Sequence, residues 1–400
     1  PSPPALTVHH PSQLSFQRSL TETPSSHLFV ASDTAHPGLP LLAVKRQPKT
    51  LPRALLLAAA RERAILTALC HPRIPACRAA FHDPSFVYIA TDFHPLGTLA
   101  DPLNRAKLTD PAHVIPAARI QLSKETGAAA AAAAESEAAA AATTTTTEPT
   151  TTATPTPPPA TRLASYLADI IDALAYLHHS VGVVHADLHP GNVFLDPPSL
   201  SPPFTYRAVV ADFGSALLHS HTSPLHAQFT ASGLHLPPHA PPPDVVAAFA
   251  APELAADDWL PKVSPAIDLW SLGCLLAAVV MQDPAGPGAA PADGNPGLFA
   301  AGAGGCGDVA VWRRVERGEA DWGALEAAAR GRGAWGGEAA DLVRRLVVVD
   351  PRGRLGDGES DYRSIRQHPF MRNNLPGRGE EERAIATTAR AEPAAAGASE

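Results

Sequence analysis

The chain has 400 residues, a formal net charge of −8 at pH 7 and a hydrophobic fraction of 45%. These values are typical of a globular protein and give no basic footprint for nucleic acid or for an anionic membrane surface. The apolar run "LWSLGCLLAAVVM" at residues 269–281 is too short to cross a bilayer and predicts a buried helix. The first residues, "PSPPALTVHH", lack the pattern of a secretory signal, so we expect no targeting segment there.

The N-terminal part of the chain combines strand signals with one helix signal. Runs of β-forming residues predict strands within residues 14–31, 40–47 and 86–93. Between the last two, "LPRALLLAAARERAILTAL" at residues 51–69 has helical spacing, and the His-Pro that follows soon after ends it. We therefore predict a small β-rich lobe with a single helix over residues 14–94.

The rest of the chain is mainly helical and is interrupted by segments that cannot form a core. An amphipathic pattern predicts a helix over residues 161–180, and the Ala-, Thr- and Pro-rich residues 124–160 are expected to be a disordered insertion. This order of elements predicts an α+β protein with two lobes, the larger one covering residues 95–371. Core helices are predicted within residues 264–280 and 337–350, loops at residues 196–206 and 215–245, and a disordered tail at residues 372–400.

The four cysteines show neither paired spacing nor the spacing of metal ligands. This pattern supports reduced thiols in a cytoplasmic or nuclear protein. The residues concerned are Cys70, Cys77, Cys274 and Cys306.

The stretch "VVHADLHPGN" at residues 183–192 places His185, Asp187, His189 and Asn192 beside a strand-like segment. Such a group could form a metal cluster, a nucleophile relay or a site that handles phosphate. A phosphoryl-transfer site needs charge neutralisation, a divalent metal and a carboxylate that orients the nucleophile. His185 lies among apolar neighbours and is more typical of a packed core residue than of a ligand.

Three further residues fit the phosphate alternative. Lys45 lies in a hydrophobic strand, where an ammonium is costly unless it is paired, and Glu62 on the following helix can pair it. Asp212 ends a later strand in the triplet Asp-Phe-Gly. Its carboxylate and the Asn192 amide are oxygen ligands that suit Mg²⁺ rather than Zn²⁺.

Six motifs, in order along the chain, resemble those of eukaryotic protein kinases of the serine/threonine type. "LAVK" is similar to the V-A-I-K strand motif, "VVHADLHPGN" to the H-R-D-L-x-x-x-N catalytic loop, and "DFG" to the metal-binding triplet. "FAAPEL" resembles the A-P-E end of the activation segment, and "DLWSLG" and "DPRGRL" resemble two later segments. "RLGDGESDYRSIRQHPF" at residues 354–370 is similar to the AGC group, especially to phosphoinositide-dependent-kinase-like members.

The resemblance implies a two-lobed protein-kinase-like fold that uses ATP and Mg²⁺ and acts on protein. Asp187 would orient the substrate hydroxyl and accept its proton, and Thr91 would be the gatekeeper beside the base. The implied catalytic residues are Asp187, Lys45, Glu62 and His189, the metal ligands are Asn192 and Asp212, and the nucleotide contacts are Leu20, Leu28, Ala43, Lys45, Thr91, Asp92, Phe93, His94 and Phe194. The implied structural residues are a hydrophobic spine of Leu66, Val87, His185 and Phe213, the pair Glu253–Arg354, and Asp268 beneath the catalytic loop.

The sequence departs from the kinase pattern at several functional positions. The family has glycines where "LTETPSSHLFVA" has Thr21, Thr23 and Ser26, which predicts a stiffer phosphate clamp and weaker ATP affinity. Ala186 replaces the arginine that binds a phosphorylated activation segment, so we expect no switch of that kind. His189 replaces a lysine and is mostly neutral at pH 7.

The activation segment implied by the resemblance, residues 212–253, is long. Its histidines, within residues 219–239, are irregularly spaced among prolines, which favours a flexible solvated loop over a metal site. Val246 stands where a serine/threonine kinase has a threonine, so the peptide platform is altered.

Three functions stay open from the sequence. The full set of phosphoryl-transfer residues favours an ATP- and Mg²⁺-dependent serine/threonine protein kinase. The altered phosphate loop, Ala186 and His189 leave room for a pseudokinase or scaffold, and "HADLHPGN" also resembles the loop of small-molecule phosphotransferases. The expected partners are a protein substrate and ATP, with no nucleic acid and no membrane span, and the oligomeric state stays open.

Overall fold

The computed structural model describes residues 10–35, 40–101, 159–196, 207–220, 223–235, 245–256, 258–281, 298–299 and 308–375. Nearly all of the predicted insertion and of the predicted loop at residues 196–206 lies outside these ranges. The described residues build a sheet-rich lobe and a mainly helical lobe, which confirms the predicted α+β, two-lobed fold. Within these ranges, none of the helices combines the length and the apolar character needed to cross a membrane.

The N-terminal lobe consists of β1 (Leu14–Glu22), β2 (His27–Asp33), β3 (Leu42–Pro48), α1 (Arg53–Ala68), β4 (Cys77–His82) and β5 (Phe86–Asp92). The strands form one antiparallel sheet in the order β1-β2-β3-β5-β4. In β3, Leu42 and Val44 are buried in one apolar cluster, while the alternation of a strand turns Ala43 and Lys45 to the other face. This alternation puts the lysine of a hydrophobic strand on the face that α1 and the second lobe approach.

The C-terminal lobe includes α2 (Pro159–Ala175), β6 (Val183–Val184), β7 (Val193–Asp196), β8 (Arg207–Val210), β9 (Leu217–Leu218), α3 (His226–Ser232), α4 (Ala266–Met281), α5 (Asp308–Arg317), α6 (Trp322–Gly331), α7 (Ala334–Leu346), α8 (Arg363–Arg366) and α9 (Pro369–Asn374). Helix α4 is buried on all sides from Ala266 to Val280 and forms the centre of the lobe. Two short strand pairs, β6 with β9 and β7 with β8, frame the polar run at residues 183–192.

Several element boundaries differ from those predicted. The region 14–31 divides into β1 and β2, and β4 was missed because its alanines form a strand only by pairing with β5. The helix predicted over residues 161–180 ends at Ala175, and Tyr176–Val181 form a wider π-helical turn closed by Gly182 with a φ of 76°. Helices α5 and α6 were not predicted.

The loop predicted at residues 215–245 is wrong in part, because its described portion contains β9 and α3. Leu225 and Phe229 are buried and anchor α3, and Gly233 ends it with a φ of 63°. His219 is half-buried, and its Nε2 lies 2.9 Å from the His178 carbonyl. In the described part of the chain, no group of three or more His, Cys, Asp or Glu side chains could hold a metal ion.

The tail predicted from residue 372 begins too early. Helix α9 runs to Asn374, whose side-chain amide donates to the Phe370 carbonyl at 2.8 Å. The His368 side chain caps the start of α9 by accepting the Phe370 N–H. Residues beyond 375 lie outside the described ranges.

Arg354 joins the C-terminal segment to the end of the activation segment. Its guanidinium donates to both carboxylate oxygens of Glu253, at 2.6 and 2.8 Å, and to the Ala266 carbonyl at 2.7 Å. The Arg354 and Glu253 side chains are 0% and 6% exposed. A buried bidentate pair fixes the relative position of the two segments, and the pairing that the resemblance implies is present.

Glu253→Gln should destabilise the fold, because it leaves the buried Arg354 cation without its anion. Removal of one partner from a buried pair costs about 3–5 kcal/mol. We expect the free energy of unfolding, measured by urea denaturation, to fall by about 3 kcal/mol. The control Glu319→Gln removes the exposed partner of Arg317 and should cost less than about 1 kcal/mol. Equal losses in the two variants would contradict the structural role of Glu253.

Candidate active site

Lys45 lies where the two lobes meet and is held by carboxylates from both. Its Nζ atom is 2.9 Å from Oε1 and 2.9 Å from Oε2 of Glu62 on α1, and 3.6 Å from Oδ1 of Asp212, which follows β8. Burial alone would lower the pKa of Lys45, but the two carboxylates raise it above its ordinary value. Lys45 is therefore a cation at neutral pH.

Gly214 leaves room for this arrangement. A Cβ atom at residue 214 would lie 3.2 Å from Oδ1 of Asp212, 3.7 Å from Nζ of Lys45 and 3.9 Å from Oε2 of Glu62. The Gly214 N–H also donates to Oδ1 of Asp212 at 3.2 Å. Burial opposes ionisation of Asp212, but the Lys45 charge and this N–H lower its pKa below the ordinary value. Asp212 is therefore a carboxylate at neutral pH.

Two residues of the site adopt a left-handed backbone, which is strained without glycine. Ala186 has a φ of 65° and Asp212 a φ of 64°. Asp268, buried in α4, holds the first of them: Oδ1 accepts the Ala186 N–H at 2.8 Å and Oδ2 accepts the His185 N–H at 2.7 Å. The contact of Asp268 with the catalytic-loop backbone, which the resemblance implies, is thus present.

Asp187 carries the carboxylate of the polar run. Its Oδ1 accepts the Val246 N–H at 3.1 Å, and its Oδ2 and backbone carbonyl accept from Nδ2 of Asn192 at 3.3 and 2.9 Å. Burial raises the pKa of Asp187 to about 6, and the two donors offset this only in part. A carboxylate with such a pKa is well matched to proton transfer near neutral pH. The Val246 contact was missed because a backbone N–H leaves no signal in the sequence.

Asn192 and Asp212 form a donor set that fits Mg²⁺. Because carboxylate and carbonyl oxygens only accept hydrogen bonds, the NH₂ group of Asn192 must face Asp187. The Oδ1 atom of Asn192 then faces away from Asp187 and can serve as a metal ligand. The half-exposed Asp212 side chain supplies carboxylate oxygens. In phosphate-handling sites, Mg²⁺ typically takes one or two such ligands and completes its shell with phosphate oxygens and water.

His189 does not supply the charge of the lysine that it replaces. Its Nδ1 accepts the Gly191 N–H at 3.0 Å, and a Cβ atom on Gly191 would lie 2.7 Å from the ring. Its Nε2 is 3.8 Å from Oδ2 of Asp187, too far for a hydrogen bond. Burial lowers the pKa of His189 to about 4, so the ring is neutral at pH 7 and offers one N–H donor.

Four of the predicted nucleotide contacts share one face of the sheet. Ala43 pairs with Thr91 on β5, and Lys45 pairs with Leu28 on β2. Since paired residues point to the same face, Leu28, Ala43 and Thr91 surround Lys45 on the functional face. Leu20 lies at a β-bulge of β1 and is exposed, and its role stays a prediction.

The segment that connects the lobes turns its polar side chains to protein partners. Asp92 accepts from Nε and Nη2 of Arg78 at 2.6 and 3.1 Å. Nδ1 of His94 lies 2.6 Å from Oδ1 of Asp196, and the His94 ring centre is 5.7 Å from that of Phe194. Contacts of Asp92 with a base would therefore come from its backbone groups.

Three of the four residues predicted for the hydrophobic spine, Leu66, His185 and Phe213, are buried. The Phe213 and His185 ring centres are 5.1 Å apart, and Leu66 belongs to the same buried cluster as Phe213. Val87 is only half-buried near the start of β5 and lies outside this cluster, so its prediction is wrong. Cys77 on β4 and Ile89 on β5 are the residues of these two strands that the cluster contains.

The turn that replaces a glycine-rich loop is closed by its own hydrogen bonds. The Thr23 N–H donates to the Ser26 carbonyl at 2.8 Å, and the Ser26 N–H donates to Oγ1 of Thr23 at 3.0 Å. Pro24 has no N–H to donate. Among the four residues of this turn, only Ser25 has an N–H group that makes no hydrogen bond to another described residue. Glycine-rich loops bind phosphate through such N–H groups, so this turn has fewer donors to offer a phosphate.

The site lies between a sheet-rich lobe and a helical lobe, and it brings together a lysine, three acidic residues and an amide. These residues are Lys45, Glu62, Asp187, Asp212 and Asn192. The combination defines a class of phosphotransferase. Residues 150–371, more than half of the chain, match the family described as "Protein kinase domain". The chain belongs to this family.

The chain is similar to several serine/threonine kinases. It is 28% identical over 206 residues to "Serine/threonine-protein kinase GIN4" of Saccharomyces cerevisiae. It is 27% identical over 207 residues to "Serine/threonine-protein kinase ksg1" of Schizosaccharomyces pombe and to "3-phosphoinositide-dependent protein kinase 1" of Homo sapiens. Each match covers 52% of this chain, and 14%, 28% and 28% of the respective relative.

The chain thus spans less than a third of the length of each of these relatives. The features similar to phosphoinositide-dependent kinases, first seen at residues 354–370, are confirmed. The family and its relatives support a kinase function for this chain.

Asp187→Asn should stabilise the fold at neutral pH. Because folding raises the pKa of this carboxyl from 3.8 to about 6, the folded state binds the proton more tightly than the unfolded state does. Stability therefore falls as the pH rises through this window and stays lower above it. Asparagine removes this loss, so the free energy of unfolding in EDTA should rise by about 2 kcal/mol near pH 7.5 and hardly change near pH 4.

The control for this experiment is again Glu319→Gln, an exposed carboxylate that is neutralised in the same way. It should change the free energy of unfolding by less than about 0.5 kcal/mol at either pH. If Asp187→Asn lowers stability near pH 7.5, the hydrogen bonds of the carboxylate outweigh its burial and the pKa assignment is wrong.

Proposed function

We propose that the chain is an ATP- and Mg²⁺-dependent serine/threonine protein kinase, which transfers the γ-phosphate of ATP to hydroxyl groups of proteins. The observation that supports this best is the position of Lys45 Nζ, 2.9 Å from Glu62 and 3.6 Å from Asp212. A cation and a metal-binding carboxylate that meet across two lobes form the electrostatic part of a phosphoryl-transfer site. Asp187 and Asn192 supply the base and a second oxygen ligand.

In this proposal the residues position groups and neutralise charge, because phosphoryl transfer asks little covalent chemistry of the protein. The Lys45 ammonium binds phosphate oxygens, and Glu62 holds the ammonium in place. The Asp187 carboxylate orients the substrate hydroxyl and accepts its proton, while the Val246 N–H keeps that carboxylate in position. Mg²⁺, when bound by Asn192 and Asp212, neutralises charge on the phosphate oxygens.

Domain boundaries and location are part of the proposal. Residues 14–94 form the nucleotide-binding lobe, and residues 95–371 carry the catalytic loop and the site for the protein substrate. Three described cysteines are free thiols, which supports a reducing compartment, the cytoplasm or the nucleus. They are Cys70, Cys77 and Cys274.

A second candidate function is a scaffold that does not depend on nucleotide. The turn at residues 23–26 favours it, because that turn spends its N–H groups on itself. The neutral His189 adds no charge to compensate. The two candidates therefore differ in nucleotide affinity and not in fold.

Radiolabelled Mg·ATP with a library of Ser-, Thr- and Tyr-containing peptides tests the kinase proposal. Wild type should label Ser and Thr peptides, and Asp187→Asn should lower the rate by about 10²–10⁴-fold because proton transfer is lost. Lys45→Met should lower it as well, whereas Lys49→Met, just past the end of the same strand, should leave it unchanged. Labelling of no protein, the chain itself included, would overturn the proposal, and labelling of a sugar or antibiotic alone would favour a small-molecule phosphotransferase.

Thr23→Gly should strengthen nucleotide binding. The change removes the Oγ1 acceptor and so frees the Ser26 N–H to bind phosphate, in a loop that can then approach it closely. We expect the Kd for Mg·ATP, measured by calorimetry in the Asp187→Asn background, to fall about tenfold, as one charged hydrogen bond allows. Ser25→Gly adds the same flexibility without freeing the Ser26 N–H, and it should change the Kd less than about twofold. Equal gains in the two variants would refute the assigned role of Thr23.

A further inference from the structure

A line of buried side chains leads from the C-terminal segment to the catalytic loop. The Tyr362 hydroxyl contacts Nδ1 of His178, and Nε2 of His178 lies 2.7 Å from Oδ2 of Asp268. Asp268 accepts the N–H groups of His185 and Ala186, the two residues before Asp187. The three side chains that form the line are almost inaccessible, so water does not compete for these hydrogen bonds. Tyr362, His178 and Asp268 are 1%, 2% and 0% exposed.

With a neutral His178, one placement of protons satisfies every atom in this line. Burial opposes ionisation of Asp268, but its bonds with His178 and His185 lower its pKa, so it is a carboxylate that only accepts. Nε2 of His178 therefore carries the proton, and in a neutral imidazole Nδ1 is then a bare acceptor. Burial raises the pKa of Tyr362, so its hydroxyl keeps its proton and donates to Nδ1.

We infer that Tyr362 is a positioning residue, which acts on Asp187 through His178 and Asp268. The role in catalysis rests on the proposed kinase function. The Asp268 carboxylate sets the tautomer of His178, and the Tyr362 hydroxyl, by donating to Nδ1, holds the ring in the orientation that donates to Asp268. Asp268 in turn holds the strained Ala186 backbone. Without the hydroxyl, the buried Nδ1 of His178 loses the hydrogen bond that Tyr362 donates, and the imidazole loses its fixed orientation.

The fold makes special room for Tyr362. Its backbone is left-handed, with a φ of 49°, which is rare for a bulky residue. Gly356 lies against the ring, and a Cβ atom there would be 3.1 Å from Cδ1 of Tyr362 and 2.8 Å from Cδ1 of Ile365. The Arg354–Glu253 pair fixes the start of the same segment. A strained backbone conformation persists when the contacts around the residue hold it in place. For the Tyr362 side chain, the hydrogen bond with His178 is the polar one among these contacts.

Tyr362→Phe removes the hydroxyl and keeps the ring, so it isolates the hydrogen bond. In the full chain, at a temperature where melting curves show a folded protein, kcat should fall about tenfold, while KM for ATP and for the protein substrate changes less than about twofold. Tyr88→Phe is the matched control, because Tyr88 is buried in the other lobe and donates to Oδ2 of Asp83 at 2.8 Å. It should leave kcat unchanged, and an equal loss in both variants would overturn the inference.

A double-mutant cycle separates a path through His178 from a general loss of packing. If Tyr362 acts through His178, then Tyr362→Phe should change kcat less than about twofold in the His178→Ala background. A tenfold loss in that background as well would overturn the inference.

Amide hydrogen exchange tests the same path without any activity. Exchange of the His185 and Ala186 N–H groups should be about tenfold faster in Tyr362→Phe and unchanged in Tyr88→Phe. Unchanged exchange in Tyr362→Phe would overturn the inference even in an active kinase. Faster exchange in a chain that transfers no phosphate would support the positioning path and overturn only the proposed function.

Discussion

The site depends on one constraint: an ammonium that is mostly buried stays charged only if carboxylates surround it. Lys45 leaves the face of β3 that is opposite to Leu42 and Val44, and it finds Glu62 on α1 and Asp212 on the second lobe. An unpaired charge in this position would cost several kcal/mol, so the sheet, the helix and the segment after β8 are held in one arrangement. The relative position of the two lobes is therefore tied to the same contacts that prepare the site for a phosphate.

Two aspartates beside the catalytic loop show how the number of donors decides a role. Asp268 accepts hydrogen bonds from His178, His185 and Ala186, which keep its pKa low despite complete burial. Asp187 has a weaker set of donors, and burial dominates, so its pKa rises to about 6. The first carboxylate is fixed as an anchor for the backbone, and the second has the basicity that the proposed proton transfer would require.

The sequence predicted those parts of the fold and site that carry a side-chain signal. A lysine in an apolar strand demands a partner, which pointed to Glu62. Helical spacing located α1 and α2, and apolar segments located α4 and α7. What it missed depends on tertiary pairing or on the backbone: β4 forms by pairing with β5, α3 is anchored by Leu225 and Phe229, and the Val246 N–H has no side-chain signature.

Two departures from the kinase pattern reduce the groups that could bind a triphosphate. His189 is neutral, and the turn at residues 23–26 offers one N–H that no described residue accepts. In the proposed kinase, the binding of phosphate would rest mainly on Lys45 and on a divalent metal, and Asp187 would be the base. Loss of donors around the phosphates weakens binding without disturbing proton transfer, because the two depend on different groups. In the proposed function, the balance between a kinase and a scaffold would therefore depend on the groups around the phosphates, which are the turn at residues 23–26 and His189, and not on the base Asp187.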